Sequence, residues 1–137
     1  MKYLLDTCVI SELTKHKPNI RVVEWIKHAP LDSLFLSVIT IGEIRKGLNK
    51  LPKSKKKGKL TVWLNTLMEE YKERLLPVDL AVSENWGVIQ GNAERSGIPM
   101  ASIDSFIAAT AHTYNLTVVT RNEKDFCQIP TINPWNL

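Results

Sequence analysis

Residues 1–13 read MKYLLDTCVISEL. The apolar run Tyr3-Leu4-Leu5 has no polar interruption and stops on a carboxylate, Asp6. Residues 2–5 share this character with 34–38, 75–78 and 116–120. Unbroken hydrophobicity, as opposed to alternation, marks strands covered on both faces, as in a parallel sheet. The tail TINPW, residues 131–135, suggests an added edge strand, because Pro134 is tolerated only at an edge or an end.

Helical periods lie between these runs. Leu60, Leu64, Leu67, Tyr71 and Leu75 recur at three- and four-residue steps and predict one amphipathic helix. Val82, Trp86, Ile89 and Ala93 predict another, with Asp79 as N-cap, Gly97 at C′ and Pro99 beyond it. Ile103, Phe106, Ile107, Thr110, Ala111 and Tyr114 predict a third, rich in alanine and closely packed. A shorter helix is expected after Asp6, and another through 41–48. This alternation implies an α/β fold, a mostly parallel central sheet flanked by helices in three layers.

With 137 residues, the expectation is one domain spanning 1–137. A hydrophobic content of 44% and a charged content of 23% are those of a globular protein that needs no disulfide or metal to fold. No signal peptide is apparent, since Asp6 interrupts the N-terminal apolar run. No stretch has the apolar length of a membrane span, so the cytoplasm is the expected compartment. Cys8 and Cys127 fit no metal spacing and read as buried free thiols. Trp25, Trp63 and Trp86 fit a core or an interface, with the core as the default reading. The net charge of +4 hints at a polyanionic partner. Its local source is KSKKKGK, residues 53–59, just after Lys46 and Lys50. That run fits a solvated loop between helices, and it also fits contact with a nucleic-acid backbone.

Ligands bind at the carboxyl ends of strands in open parallel sheets. Asp6 lies at such an end, and Asn122, Glu123 and Asp125 follow another. Glu43 and Asp104 fall in the early turns of two helices. Each acid also has a purely structural reading. Asp6 fits an N-cap, and Glu43 fits a capping box with Thr40. Asp104 fits a helix-dipole partner, and Asp125 fits a turn cap before Phe126. Taken together, acids converging on one edge would repel each other and raise their pKa values. A divalent cation resolves that conflict, and an all-oxygen donor set suits Mg2+ or Mn2+.

The stretches YLLDTCVISEL, SVITIGEIRKGL, LPVDLAVSENWG, IPMASIDSFIAATA and LTVVTRNEKDF…INPW resemble the PIN-domain family over essentially the whole chain. Their order and spacing resemble its VapC-like branch, the ribonuclease toxins of type II toxin–antitoxin pairs. The resemblance implies a PIN-like fold and magnesium-dependent hydrolysis of RNA phosphodiesters by a metal-activated water. It implies catalytic acids at Asp6, Glu43, Asp104 and Asp125, with Asp6, Asp104 and Glu43 at the metal. Asn122 or Asp125 would complete the site. On the residues alone, Thr7 beside Asp6 fits a hydrogen bond to a ligand or phosphate, and Arg121 fits either stabilisation of the extra negative charge or a plain surface arginine. The resemblance further implies a cognate antitoxin and a homodimer. Lys53, Lys55, Lys56 and Lys57 are the expected RNA-backbone contacts. His16, His28 and His112 read as surface residues and not as an acid–base pair. Two other functions stay open on the residues alone. One is a DNA nuclease or phosphatase using the same acids, and the other is a non-catalytic nucleic-acid-binding module.

Overall fold

The computed structural model describes residues 1–126 and 128–137. Among these, five strands form one sheet: β1 (Tyr3–Leu5), β2 (Leu34–Ser37), β3 (Leu75–Leu76), β4 (Thr117–Val119) and β5 (Thr131–Ile132). Their order is β3-β2-β1-β4-β5, and every pairing is parallel. Six α-helices connect them: α1 (Thr7–Glu12), α2 (Ile20–His28), α3 (Val38–Lys50), α4 (Lys55–Tyr71), α5 (Leu80–Arg95) and α6 (Ser102–Tyr114).

The unbroken apolar runs follow from a sheet buried on both faces. Leu5, Leu34, Leu36 and Val119 point to one side, where they meet Val9 and Ile10 of α1, Val22 of α2, Leu48 of α3 and Leu64 of α4. Leu4 and Val118, their neighbours in sequence, point to the other and meet Ile107, Ala108 and Ala111 of α6. The period-2 geometry of a strand makes this alternation, and helices on both sides require both registers to be apolar. The alanines let α6 approach the sheet closely. Outside it lies α5, with Trp86 stacked on Phe106 at 4.9 Å and donating to Ser105 Oγ at 2.9 Å. Trp25 and Trp63 pack against the first cluster, as expected of core residues.

Asp79 caps α5 by accepting the Val82 N–H at 2.9 Å. The helix ends where Gly97 takes φ +77°, a left-handed conformation that suits glycine. Its N–H reaches Glu94 O and the Ile98 N–H reaches Ala93 O, at 3.0 and 2.9 Å, the two bonds of a Schellman cap. The helix expected through 41–48 starts earlier, at Val38, because Ser37 Oγ caps it by accepting the Ile39 N–H.

Four expectations are corrected. The lysine run is no loop: Lys55, Lys56, Lys57 and Lys59 form the first turns of α4, with Ser54 as N-cap. Leu75 ends no helix, since α4 stops at Tyr71 and Leu75 starts β3. The stretch after Asn19, for which no helix was expected, forms α2 and carries His28 at its last position. The Thr40–Glu43 capping box does not form, because the cap is Ser37. Cys127 lies outside the described residues.

One arginine ties the edge of the sheet together. Arg74 donates through Nη1 to Leu31 O at 2.5 Å and Leu34 O at 2.8 Å, and through Nη2 to Glu70 O at 3.1 Å. Its guanidinium lies over the Tyr71 ring at 4.6 Å. It thus joins the end of α4 to the start of β2. Truncation strands carbonyls that a charged donor now satisfies, and Arg74→Ala should lower the unfolding free energy by about 2 kcal/mol in urea titrations. An unchanged midpoint would show the clamp to be idle.

Candidate active site at the carboxyl edge of the sheet

The strand order reverses direction between β1 and β4, the crevice where ligands bind in open α/β sheets. Asp6 ends β1 there, and Thr120 ends β4 beside it. The Asp6 N–H donates to Val119 O at 3.0 Å, which locks the two strand ends together. The Asp6 carboxylate is buried, with 6% of the residue exposed. Its Oδ1 accepts the Thr7 N–H at 2.8 Å, so Asp6 is the N-cap of α1. Its Oδ2 accepts the Thr120 hydroxyl at 2.9 Å and the Cys8 thiol at 3.7 Å. Burial pushes its carboxyl above the ordinary range. The hydrogen bonds pull it down, and the charge of Glu43 adds to the rise.

Glu43 stands one turn inside α3, half-buried, and its Oε1 accepts the Thr7 hydroxyl at 2.5 Å. Thr7 therefore bridges the two acids, its N–H on one and its Oγ1 on the other. The buried Thr40 hydroxyl lies 3.4 Å from the same Oγ1. Asp104 sits in the first turn of α6. Desolvation, followed by the charges of Asp6, Asp125 and Glu43, pushes its carboxyl up to about 6. All the charges acting on it are negative. Four carboxylates from four separate segments thus share one electrostatic neighbourhood. Among the described residues, however, no three acidic, His or Cys side chains are already gathered as a closed ligand cage.

The remaining expected residues are spread around this edge. Asp125 is exposed in a 3-10 turn at Glu123–Phe126, and its N–H donates to Asn122 O at 2.9 Å. The Asn122 N–H donates to Thr120 Oγ1 at 3.0 Å. Glu123 is drawn aside, accepting the Thr131 hydroxyl at 2.8 Å. The Arg121 guanidinium lies over Trp135 at 5.3 Å, and its charge acts on Glu12. Glu12 is nearly covered. Lys15 at 2.8 Å and the Asn19 N–H at 2.8 Å hold its carboxyl below the ordinary range and tie α1 to the cap of α2.

Cys8 differs from its apolar reading. Half-buried, it touches Asp6 and Thr120 and accepts the Arg121 N–H at 3.5 Å. Burial, then the Asp6 charge, pushes its thiol up to about 11, so it is a poor nucleophile. Thr120 is the member that sequence reading missed. Fully buried, it donates to Asp6 and accepts from Asn122, which couples β1 to the turn carrying Asp125. The available signal was a hydroxyl closing an otherwise apolar run. Two surface hollows, one along Val62, Asn65 and Glu69 of α4 and one at α2 and Leu137, hold none of the site's acids.

The PIN-domain model matches residues 3–132. Toxin FitB of Neisseria gonorrhoeae is 38% identical over 136 residues, covering 97% of this chain and 98% of that protein. VapC ribonuclease Y4jK of Sinorhizobium fredii is 37% identical, covering 96% of each. The crystal structure of FitAcB from Neisseria gonorrhoeae superposes with a TM-score of 0.93 at 38% identity, over 98% of this chain and 99% of that one.

Two outcomes follow from the geometry. The raised Asp104 carboxyl binds its proton in the folded state up to about pH 6, whereas an unfolded one loses it near the ordinary aspartate value of 3.8. Metal-free protein therefore loses stability from this group as pH rises between those values. Asp104→Asn should raise the Tm in EDTA at pH 7 and leave it nearly unchanged at pH 3; equal shifts at both would refute the clash. Thr120→Val leaves the Asn122 N–H without its partner and Asp6 Oδ2 with only the long Cys8 thiol contact. It should cost about 1–3 kcal/mol in denaturant unfolding.

Proposed function

The chain belongs to the PIN-domain family, among its VapC-like toxins, and on that premise we propose that it is a metal-dependent endoribonuclease restrained by a cognate antitoxin. In this reading, residues 1–137 work as one PIN-like nuclease domain, in the cytoplasm where its RNA substrates are. Its protein partners are the antitoxin and a second copy of the chain. Among the described residues, no helix is long and apolar enough to cross a membrane.

One observation carries the reading. The Asp104 carboxyl is pushed up to about 6 by burial and by three other acids delivered from β1, α3 and the turn after β4. Such clustering is unfavourable for a purely structural site and favourable for one that binds cations. The donors are carboxylate oxygens, which suit Mg2+ or Mn2+. Asp6 and Asp104 would hold the ion, with Glu43 directly or through a water and Asn122 or Asp125 at the periphery. When bound, a divalent ion lowers the pKa of its water and neutralises charge building on the phosphoryl oxygens.

The chain's own groups prepare that chemistry. Thr120 and the Thr7 N–H fix the Asp6 carboxylate from both oxygens. Thr7 Oγ1 takes Glu43 Oε1, which leaves Oε2 to orient the attacking water. The Arg121 guanidinium faces Trp135 and Glu12, so meeting a phosphate at the acids would require its side chain to swing toward them.

The test uses protein purified free of any partner, offered structured RNA and single- and double-stranded DNA, with Mg2+ or with EDTA. RNA cleavage should require the metal. Asp6→Asn and Asp104→Asn should each reduce it at least about 100-fold, the scale of single electrostatic groups in active sites. Cleavage that survives EDTA and both substitutions would sink the proposal. Cleavage of DNA alone would make the protein a DNA nuclease, and RNA bound but uncut in every metal would make it a binding module.

A further inference from the structure

The chain's positive excess sits on one hairpin. Residues 44–68 contain eight of the 18 Lys and Arg and none of the 14 Asp and Glu, leaving ten cations against fourteen acids elsewhere. The segment spans most of α3 and α4, which pack together through Leu48, Leu64 and Leu67. Arg45 Nη2 donates to Asn65 Oδ1 across the pair at 3.3 Å. Lys57 Nζ turns back to Leu51 O at 3.1 Å and closes the tip. Lys46, Lys50, Lys53, Lys55, Lys56 and Lys59 are exposed. Among the described residues, the ion pairs are Lys15–Glu12, His28–Glu24 and Lys72–Glu69, so none of these six is paired with an acid.

This placement works against the fold. The first turn of α4 contains Lys55, Lys56 and Lys57 and no acid, at the end of a helix that already carries partial positive charge. Three adjacent ammonium groups also repel one another. A bound polyanion turns each of these penalties into an attraction.

The lysines also align with the acids. Glu43, Lys46 and Lys50 occupy positions i, i+3 and i+7 of α3 and so share one face of it. Lys46 lies about 4.5 Å and Lys50 about 10.5 Å along the axis from Glu43. Lys53 in the connector and Lys55, Lys56 and Lys59 in the first turns of α4 follow Lys50 directly in the chain.

We infer that the α3–α4 hairpin is an arm for the phosphate backbone of RNA, running from the carboxylate edge past Lys46 and Lys50 to the lysine tip. The inference rests on the ribonuclease reading for its choice of nucleic acid. Lysines act here as point charges, so the arm supplies affinity and direction without sequence choice.

The experiment measures binding of the full chain, in EDTA so that nothing is cut, to a labelled oligouridylate of about 16 nucleotides. The arm variant is Lys50→Gln/Lys55→Gln/Lys56→Gln/Lys59→Gln. The equal-charge control is Lys2→Gln/Lys17→Gln/Lys27→Gln/Arg95→Gln. The arm variant should bind at least about 10-fold more weakly at low salt, and its slope of log K against log salt should be shallower by about 2 to 3. Its Tm should stay close to that of the wild type, because Lys55 and Lys56 oppose the dipole at the start of α4 while Lys50 favours it at the end of α3. The control should retain most of the wild-type slope. Equal losses in both variants, or no loss in the arm variant, would overturn the inference. Polyglutamate bound as tightly as RNA through the same lysines would overturn it in favour of an acidic protein partner. RNA bound through these lysines but never cut would remove only the ribonuclease reading; RNA cut with lysine-independent affinity would remove only the arm.

Discussion

Repulsion among carboxylates gathered at one sheet edge is the constraint around which this molecule is arranged. Asp6, Glu43, Asp104 and Asp125 arrive from four parts of the chain, and burial, followed by the charges of the other three, raises the Asp104 carboxyl to about 6. A fold tolerates such a cluster only with donors that hold the acids in place. Thr7 and Thr120 do this, each touching two partners: Thr7 spans Asp6 and Glu43, and Thr120 spans Asp6 and the Asn122 N–H. Both hydroxyls are short and local, so they fix geometry without neutralising charge. What remains is a rigid, electronegative edge whose compensation must come from outside the polypeptide.

The fold was legible to the degree that one physical signal determined it. Continuous apolar runs reported strands covered on both faces, and the alternation of Leu4 and Leu5 between two clusters is the structural form of that signal. Asp79 and Gly97 were readable because caps depend on local chemistry. The misses occurred where a local signal had two meanings. A lysine run beside Gly58 reads as a loop by composition, yet the Ser54 cap and the apolar face from Leu60 onward carry it into α4. Leu75 fits both a helical period and a strand, and pairing with Leu36 decides for the strand. In α2, only Val22 is fully buried, and the segment's exposed Ile20 and charged residues blurred its period.

The site was less legible than the fold. The acids could be listed as candidates because strand ends and helix starts follow from the pattern. Their supports could not, since nothing local marks Thr120 as the partner of a residue 114 positions earlier. Cys8 shows the same limit: flanked by Thr7 and Val9, it reads as a core thiol, and only the pairing of β1 with β4 brings it to Asp6 and Thr120. Asp6 is both a helix cap and the most buried of the site's acids, so the structural and functional readings of a carboxylate do not compete.

The pairing of β1 with β4 also bears on how the protein is made. Tyr3, Leu4 and Leu5 take as their partners Thr117, Val118 and Val119, so the central seam of the sheet joins segments 114 residues apart in sequence. A ladder with that much sequence between its strands closes late, because loop closure precedes any reward from the contact. While the ribosome is still translating the middle of the message, Asp6 has neither Thr120 nor Asp104 beside it. A nascent chain therefore lacks the assembled edge until the segment carrying Asp104 and Thr120 has left the exit tunnel.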